Sequence, residues 1–186
     1  MIYSNSNKFM FYHIPKTAGT SLHTVLKRYA VGPHVNEPHL TRVRSHVGVE
    51  PTWDKYKGSE YFSFAIVRNP YDRMFSLYNF LKRRRVIKET LEEFIHKMDR
   101  EPSQFKLLNY NGVVPLSFVG KFENLEEDFN FIADKIKIKE RYKNLPKLFK
   151  AVNNGNYKEQ INNELKAIID EKHHDDFINF NYKKEL

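Results

Sequence analysis

Apolar and polar positions along the chain fall into two periods, and the switches between them outline the fold. Lys8-Phe9-Met10-Phe11-Tyr12-His13-Ile14 is a short apolar and aromatic run closed by Pro15, which predicts a buried strand. A small polar turn follows, Lys16-Thr17-Ala18-Gly19-Thr20-Ser21, and then Leu22, Val25 and Leu26 recur at helical spacing through Tyr29. Tyr61-Phe62-Ser63-Phe64-Ala65-Ile66-Val67 predicts a second buried strand. It ends at Arg68-Asn69-Pro70, where the proline keeps Asn69 out of helical geometry. Met74, Phe75, Leu77 and Tyr78 place a helix over 71–81 that runs into Lys82-Arg83-Arg84-Arg85. Residues 90–98 form an amphipathic helix with Thr90 as cap and Glu93 as its capping-box partner. Ser117 to Phe122 predicts a third, shorter strand, and 124–136 and 156–180 are mainly helical. Strands alternating with helices indicate an α/β fold with a mostly parallel sheet flanked by helices. No repeat, linker or low-complexity block marks a boundary, so residues 1–186 are expected to form one domain.

Composition narrows the classes. Of the 186 residues, 40% are apolar and 15% aromatic, enough for a real core, so wholesale disorder is excluded. No stretch approaches the roughly 18 apolar residues of a membrane span. The absence of cysteine excludes a disulfide scaffold, thiolate metal sites and a Cys nucleophile. With a polar start that lacks the plan of a signal peptide, it points to a cytoplasmic protein. The net charge of +8 is unevenly spread. Residues 1–90 hold 15 Lys/Arg against 6 Asp/Glu, whereas 91–186 hold 16 against 17. A basic half of this kind suits an anionic ligand, although it also serves plain solubility.

Two stretches carry candidate chemistry. The turn 15–21 lies between a strand's carboxyl end and a helix's amino end, where free N–H groups and the positive end of the helix dipole converge. Gly19 permits close backbone approach, Thr17, Thr20 and Ser21 bring hydroxyls, and Lys16 brings a charge. A helix start so equipped binds phosphate or sulfate; the alternative is an ordinary capped helix. It is not a Walker A loop, since Gly-x-x-x-x-Gly-Lys-Ser/Thr is absent. Arg68 stands at the end of the next strand, where α/β folds place ligand contacts, and Ser76 lies eight residues on. Together they could hold a second phosphate. Alternatively, Arg68 pairs with Asp72 and Ser76 fills space.

His13 to Leu22 resembles the 5′-phosphosulfate-binding loop of the sulfotransferases, and Phe64 to Tyr78 resembles their 3′-phosphate-binding motif. Phe118 to Asp128 and Asp175 to Tyr182 are similar to later segments of the carbohydrate branch, which includes the heparan sulfate 2-O-sulfotransferases. The resemblance implies a P-loop-like sulfotransferase fold. It also implies transfer of a sulfuryl group from 3′-phosphoadenosine 5′-phosphosulfate (PAPS) to a hydroxyl, most naturally a carbohydrate's, leaving PAP. By it Lys16 neutralises the leaving phosphate, and Thr17, Ala18, Gly19, Thr20 and Ser21 cradle the 5′ end. Arg68 and Ser76 hold the 3′-phosphate, and no metal is needed. The chain is short for that branch and lacks the membrane anchor of its Golgi members, which suggests a soluble bacterial or viral-type version with a pared-down acceptor side.

The attacking hydroxyl needs a base, and His is the natural type. In the carbohydrate branch the base comes from shortly before the 3′-phosphate strand, which points to His46; the alternative is an exposed loop histidine. His13 suits a structural role, while His34 and His39, in a Pro-punctuated loop, could border the acceptor. Lys82, Arg83, Arg84, Arg85 and Lys88 could grip a polyanionic acceptor or simply complement the negative end of the helix. Glu93-x-x-His96 and Glu171-x-x-His174 are each half of a di-iron motif, but the strands do not fit a four-helix bundle. A nucleotide kinase would need a Walker Lys-Ser/Thr pair and Mg²⁺ carboxylates, which are missing. A non-catalytic polyanion- or nucleic-acid-binding module would explain the basic half but not two phosphate loops at this spacing.

Overall fold

The structure, a computed structural model, describes residues 1–30, 49, 53–54, 58–97, 101–145 and 156–186. They fall into two compact units, Met1–Val67 with Lys106–Leu148, and Arg68–Phe105 with Phe149–Leu186.

The first unit holds a four-stranded sheet of β1 (Ile2–Ser4), β2 (Phe9–Tyr12), β3 (Phe62–Val67) and β4 (Phe118–Lys121), in that spatial order. β1 pairs antiparallel with β2, whereas β2, β3 and β4 run parallel. The expected mostly parallel sheet is therefore present, with helices packed on it. β2 is buried at every position and β3 at all but its first, as central strands covered on both faces must be. Their aromatic and β-branched runs suit that setting. Phe9, Phe11, Phe64 and Ile66 point to one face, where Leu22, Val25 and Leu26 of α1 (Gly19–Leu26) cover them. Phe129, Ile132 and Ala133 of α5 (Leu125–Lys135) join the same cluster.

The second unit is helical. α2 (Pro70–Arg83) starts one residue before the expected 71–81: Asn69 is non-helical, as the proline predicts, its side chain accepts the Tyr71 N–H, and Pro70 occupies the first turn, where its missing N–H is not needed. It ends with Arg85 at φ 56°, a left-handed position that glycine usually fills, while the Val86 N–H closes back on the Leu81 carbonyl. α3 (Leu91–His96) carries the expected capping box between Thr90 and Glu93. The predicted 156–180 helix is divided into α6 (Tyr157–Gln160), α7 (Asn163–Lys172) and α8 (His174–Asn179). The break follows from Ile161, which is extended, and from Asn162, whose side chain caps α7 through the Leu165 N–H. Tyr71, Met74, Leu77, Phe94, Ile95, Leu165, Ile169 and Phe177 form this unit's core.

Two elements escape the hydrophobic pattern. β1 is three residues long, too short to show a period. α4 (Gln104–Leu108) is a single turn whose start is stabilised from elsewhere in the chain.

Candidate active site

In the first unit the chain leaves β2 at Tyr12 and turns sharply into α1. Lys16 and Ala18 both take left-handed backbone, φ 70° and 63°, on either side of the buried Thr17. Non-glycine residues held in this region store strain of about 1–3 kcal/mol each, a cost seen most often at ligand-binding turns. The Thr17 hydroxyl donates to the Ile14 carbonyl at 2.9 Å and staples the turn. The cap position of α1 is Ala18, and no side chain caps the helix. Its opening is thus not that of an ordinary surface helix, whose first N–H groups are satisfied by Ser, Thr, Asp or Asn. Thr20 and Ser21 lie in the first turn of α1, half-buried. Gly19 is closely approached by His13: a Cβ there would lie 1.8 Å from His13 Cδ2. His13 stacks on Phe11, centroids 6.0 Å apart and 16° from parallel.

In the second unit Arg68 precedes α2, and its Nε and Nη2 donate to Asp72 Oδ2 at 2.8 and 2.7 Å. The Asp72 pairing weighed from the sequence is therefore formed. Asp72 and Ser76, four residues apart in α2, lie on the same helical face. The backbone of Arg68 is also held, since its N–H donates to Gln104 Oε1 and Gln104 Nε2 donates to its carbonyl, both at 2.8 Å.

The sulfotransferase family model matches residues 1–183, a span that includes the uncapped turn at 15–21 and the Arg68 to Ser76 stretch. The chain belongs to the sulfotransferase family. No curated protein and no solved structure matches it. Sulfuryl transfer is accordingly the activity class of this sulfotransferase, a hydroxyl its acceptor group, and PAPS the donor the family generally uses.

His46 and His39, with His34, lie outside the described residues. Arg83, Arg84 and Arg85 are exposed at the end of α2, with Arg84 set over the Phe80 ring at 5.0 Å. Lys82 is committed locally, its amine donating to the Lys88 and Glu89 carbonyls at 2.8 Å each. Glu89 and Glu93 line an open depression beside Arg85 and Lys88, so the cluster's positive field is partly offset there. The hydrogen bonds from the Glu89 and Lys88 N–H groups hold Glu89 below the usual carboxylate range, and it stays negative at neutral pH.

The Glu93 carboxylate is engaged by its capping box, accepting the Thr90 N–H at 2.8 Å. Glu92, His96 and Glu164 bring ligand atoms within 4.8 Å of one another, all exposed. His96 Nε2 lies 3.4 Å from Glu164 Oε1 at the surface.

Residues the hydrophobic and motif patterns did not single out stand behind Arg68. Gln104, Asp176, Arg73 and His173 are buried polar groups of the second unit. Burial pushes the Asp176 carboxyl up, but His173, the Phe105 N–H, the Arg73 charge and the Gln104 N–H outweigh it and hold it below the usual range. Asp176 lies in the 175–182 segment that carried part of the resemblance. Gln104 had no comparable signal.

Proposed function

We propose that this sulfotransferase moves a sulfuryl group from PAPS to a carbohydrate hydroxyl by in-line displacement. The observation that carries the donor reading is the start of α1: two strained left-handed residues, Lys16 and Ala18, and no capping side chain, at a helix dipole's positive end. An anionic group fits there because no side chain caps the first N–H groups of α1, although the Ala18 carbonyl accepts the Ser21 N–H at 2.9 Å. Lys16, the N–H groups from Thr17 to Thr20 and the Ser21 hydroxyl bind the donor's 5′ end and steady the charge that develops on its bridging oxygen, the Ser21 N–H being taken by the Ala18 carbonyl. Arg68 and Ser76 bind the 3′-phosphate, Arg68 sharing its guanidinium with Asp72. His46 takes the proton of the attacking hydroxyl, with His39, Arg83 and Arg84 bordering the acceptor. The carbohydrate acceptor and the His46 base rest on the sequence resemblance to the heparan sulfate 2-O branch.

Calorimetric titration with PAP, using ATP and AMP as controls and EDTA present, tests this reading. Micromolar, metal-independent binding of PAP with much weaker binding of AMP is expected. Equal affinity for PAP and AMP would reduce the two loops to features of the fold, and the basic half would then be tested against polyanions, where steep salt dependence marks simple charge binding.

A further inference from the structure

We propose that Gln104, itself held by Asp176, is a positioning residue that fixes Arg68 for recognition of the donor's 3′-phosphate; the inference rests on the donor reading above. β3 makes its last register pair at Val67, opposite Lys121, so Arg68 stands one residue beyond the ladder. Its N–H and carbonyl, both part-buried, need new partners there, because backbone polar groups withdrawn from water are rarely left unpaired. The Gln104 side-chain amide supplies both, accepting from the N–H and donating to the carbonyl at 2.8 Å, as a neighbouring strand would. This leaves Arg68 little backbone freedom before Asn69 and Pro70 turn the chain into α2.

Gln104 is in turn fixed. Asp176 Oδ2 accepts the Gln104 N–H at 3.0 Å and its Nε2 at 3.3 Å, while Oδ1 accepts the Phe105 N–H at 2.7 Å. One carboxylate from α8 therefore caps the short α4 and orients the amide that grips Arg68. Around the carboxylate, His173 Nδ1 lies 3.5 Å from Oδ2, at the margin of a hydrogen bond. Arg73 is wholly buried and donates from Nη2 to the Pro102 carbonyl at 3.1 Å. The Nε2 group of Gln104 thus satisfies two acceptors, and the carbonyl oxygen of the same amide is spent on Arg68. An apolar side chain of the same length would pack equally well but release the backbone of Arg68. The side chain of Arg68 is aimed separately, by Asp72, so backbone and guanidinium have different anchors.

The test is binding of PAP and of AMP, which lacks the 3′-phosphate, to wild type, Arg68→Ala, Gln104→Met and the double variant. The expected result is that Gln104→Met weakens PAP about tenfold, the order expected for one hydrogen bond to a charged group, and leaves AMP unchanged. It should add nothing further in the Arg68→Ala background. A parallel loss of PAP and AMP affinity, or no loss of PAP affinity, overturns the proposal. Arg68→Ala separates the two levels. If it leaves the preference for PAP intact, the donor reading itself falls and takes this inference with it. Should Gln104→Met lose its cooperative melt, Asp176→Asn, which keeps size and one acceptor oxygen, carries the same comparison with the same outcomes.

Discussion

Replacing Gly19 with alanine isolates one contact at the start of α1. The backbone of Gly19 is not left-handed, so alanine is conformationally acceptable there, and in a helix it is favoured over glycine by up to about 1 kcal/mol. The obstacle is His13. The added Cβ would lie 1.8 Å from Cδ2, 1.9 Å from Nε2 and 2.7 Å from Cγ of the imidazole. Carbon atoms rest in contact at roughly 3.5–4.0 Å, so the ring must retreat by roughly 2 Å. That movement pulls it off Phe11, on which it is stacked. Overpacking of this kind costs about 1–3 kcal/mol, and the ring is the mobile end of a side chain, which favours the lower half. Gly19→Ala should therefore destabilise the protein by about 1 kcal/mol net, read as a lower midpoint in urea followed by circular dichroism. In a His13→Ala background the clash is gone and the helix preference remains, so the sign should reverse to a gain of about 0.5–1 kcal/mol. Equal destabilisation in both backgrounds, or none in the wild type, would refute the contact as the reason for glycine.

Lys16→Ala should lower sulfuryl transfer by about a hundredfold, the scale of losing one charge-stabilising donor, while Arg83→Ala changes it far less; equal losses would undo the loop assignment. His46→Ala should abolish transfer with PAP affinity nearly intact, and a fully active variant would remove His46 as the base. Asp176, whose carboxyl is held below its ordinary value, contributes stability that is complete above the ordinary carboxylate range and is lost as pH falls through its lowered folded value. Glu101, raised mainly by burial, works in the opposite sense. The comparison is therefore between wild type and Asp176→Asn, and the variant's melting temperature should fall less steeply on acidification. Parallel curves would contradict this role of the carboxylate.

Much of the fold was legible because its signals are local. The aromatic runs of β2 and β3, the Asn69-Pro70 start of α2 and the capping box at Thr90 and Glu93 each specify their element within a few residues. The ordered loops at 13–22 and 64–78 pointed to the family in the same way, since a phosphate-binding turn is a contiguous stretch of backbone. Tertiary structure decided what depends on partners distant in the chain. β1 exists because Ile2, Tyr3 and Ser4 find the edge of β2, and three residues have no period to read. α4 exists because Asp176, 72 positions away, satisfies its first N–H groups. Whether Arg68 paired with Asp72 was open from spacing alone, as four residues permit the contact without requiring it. The hold of Gln104 on Arg68 left no trace in periodicity either. The sequence thus determined the longer elements, the two loops and the family they point to, because propensity and motif act over a turn or two. Only the folded chain determined how Arg68 is gripped, because hydrogen bonds between remote segments come into being when those segments pack.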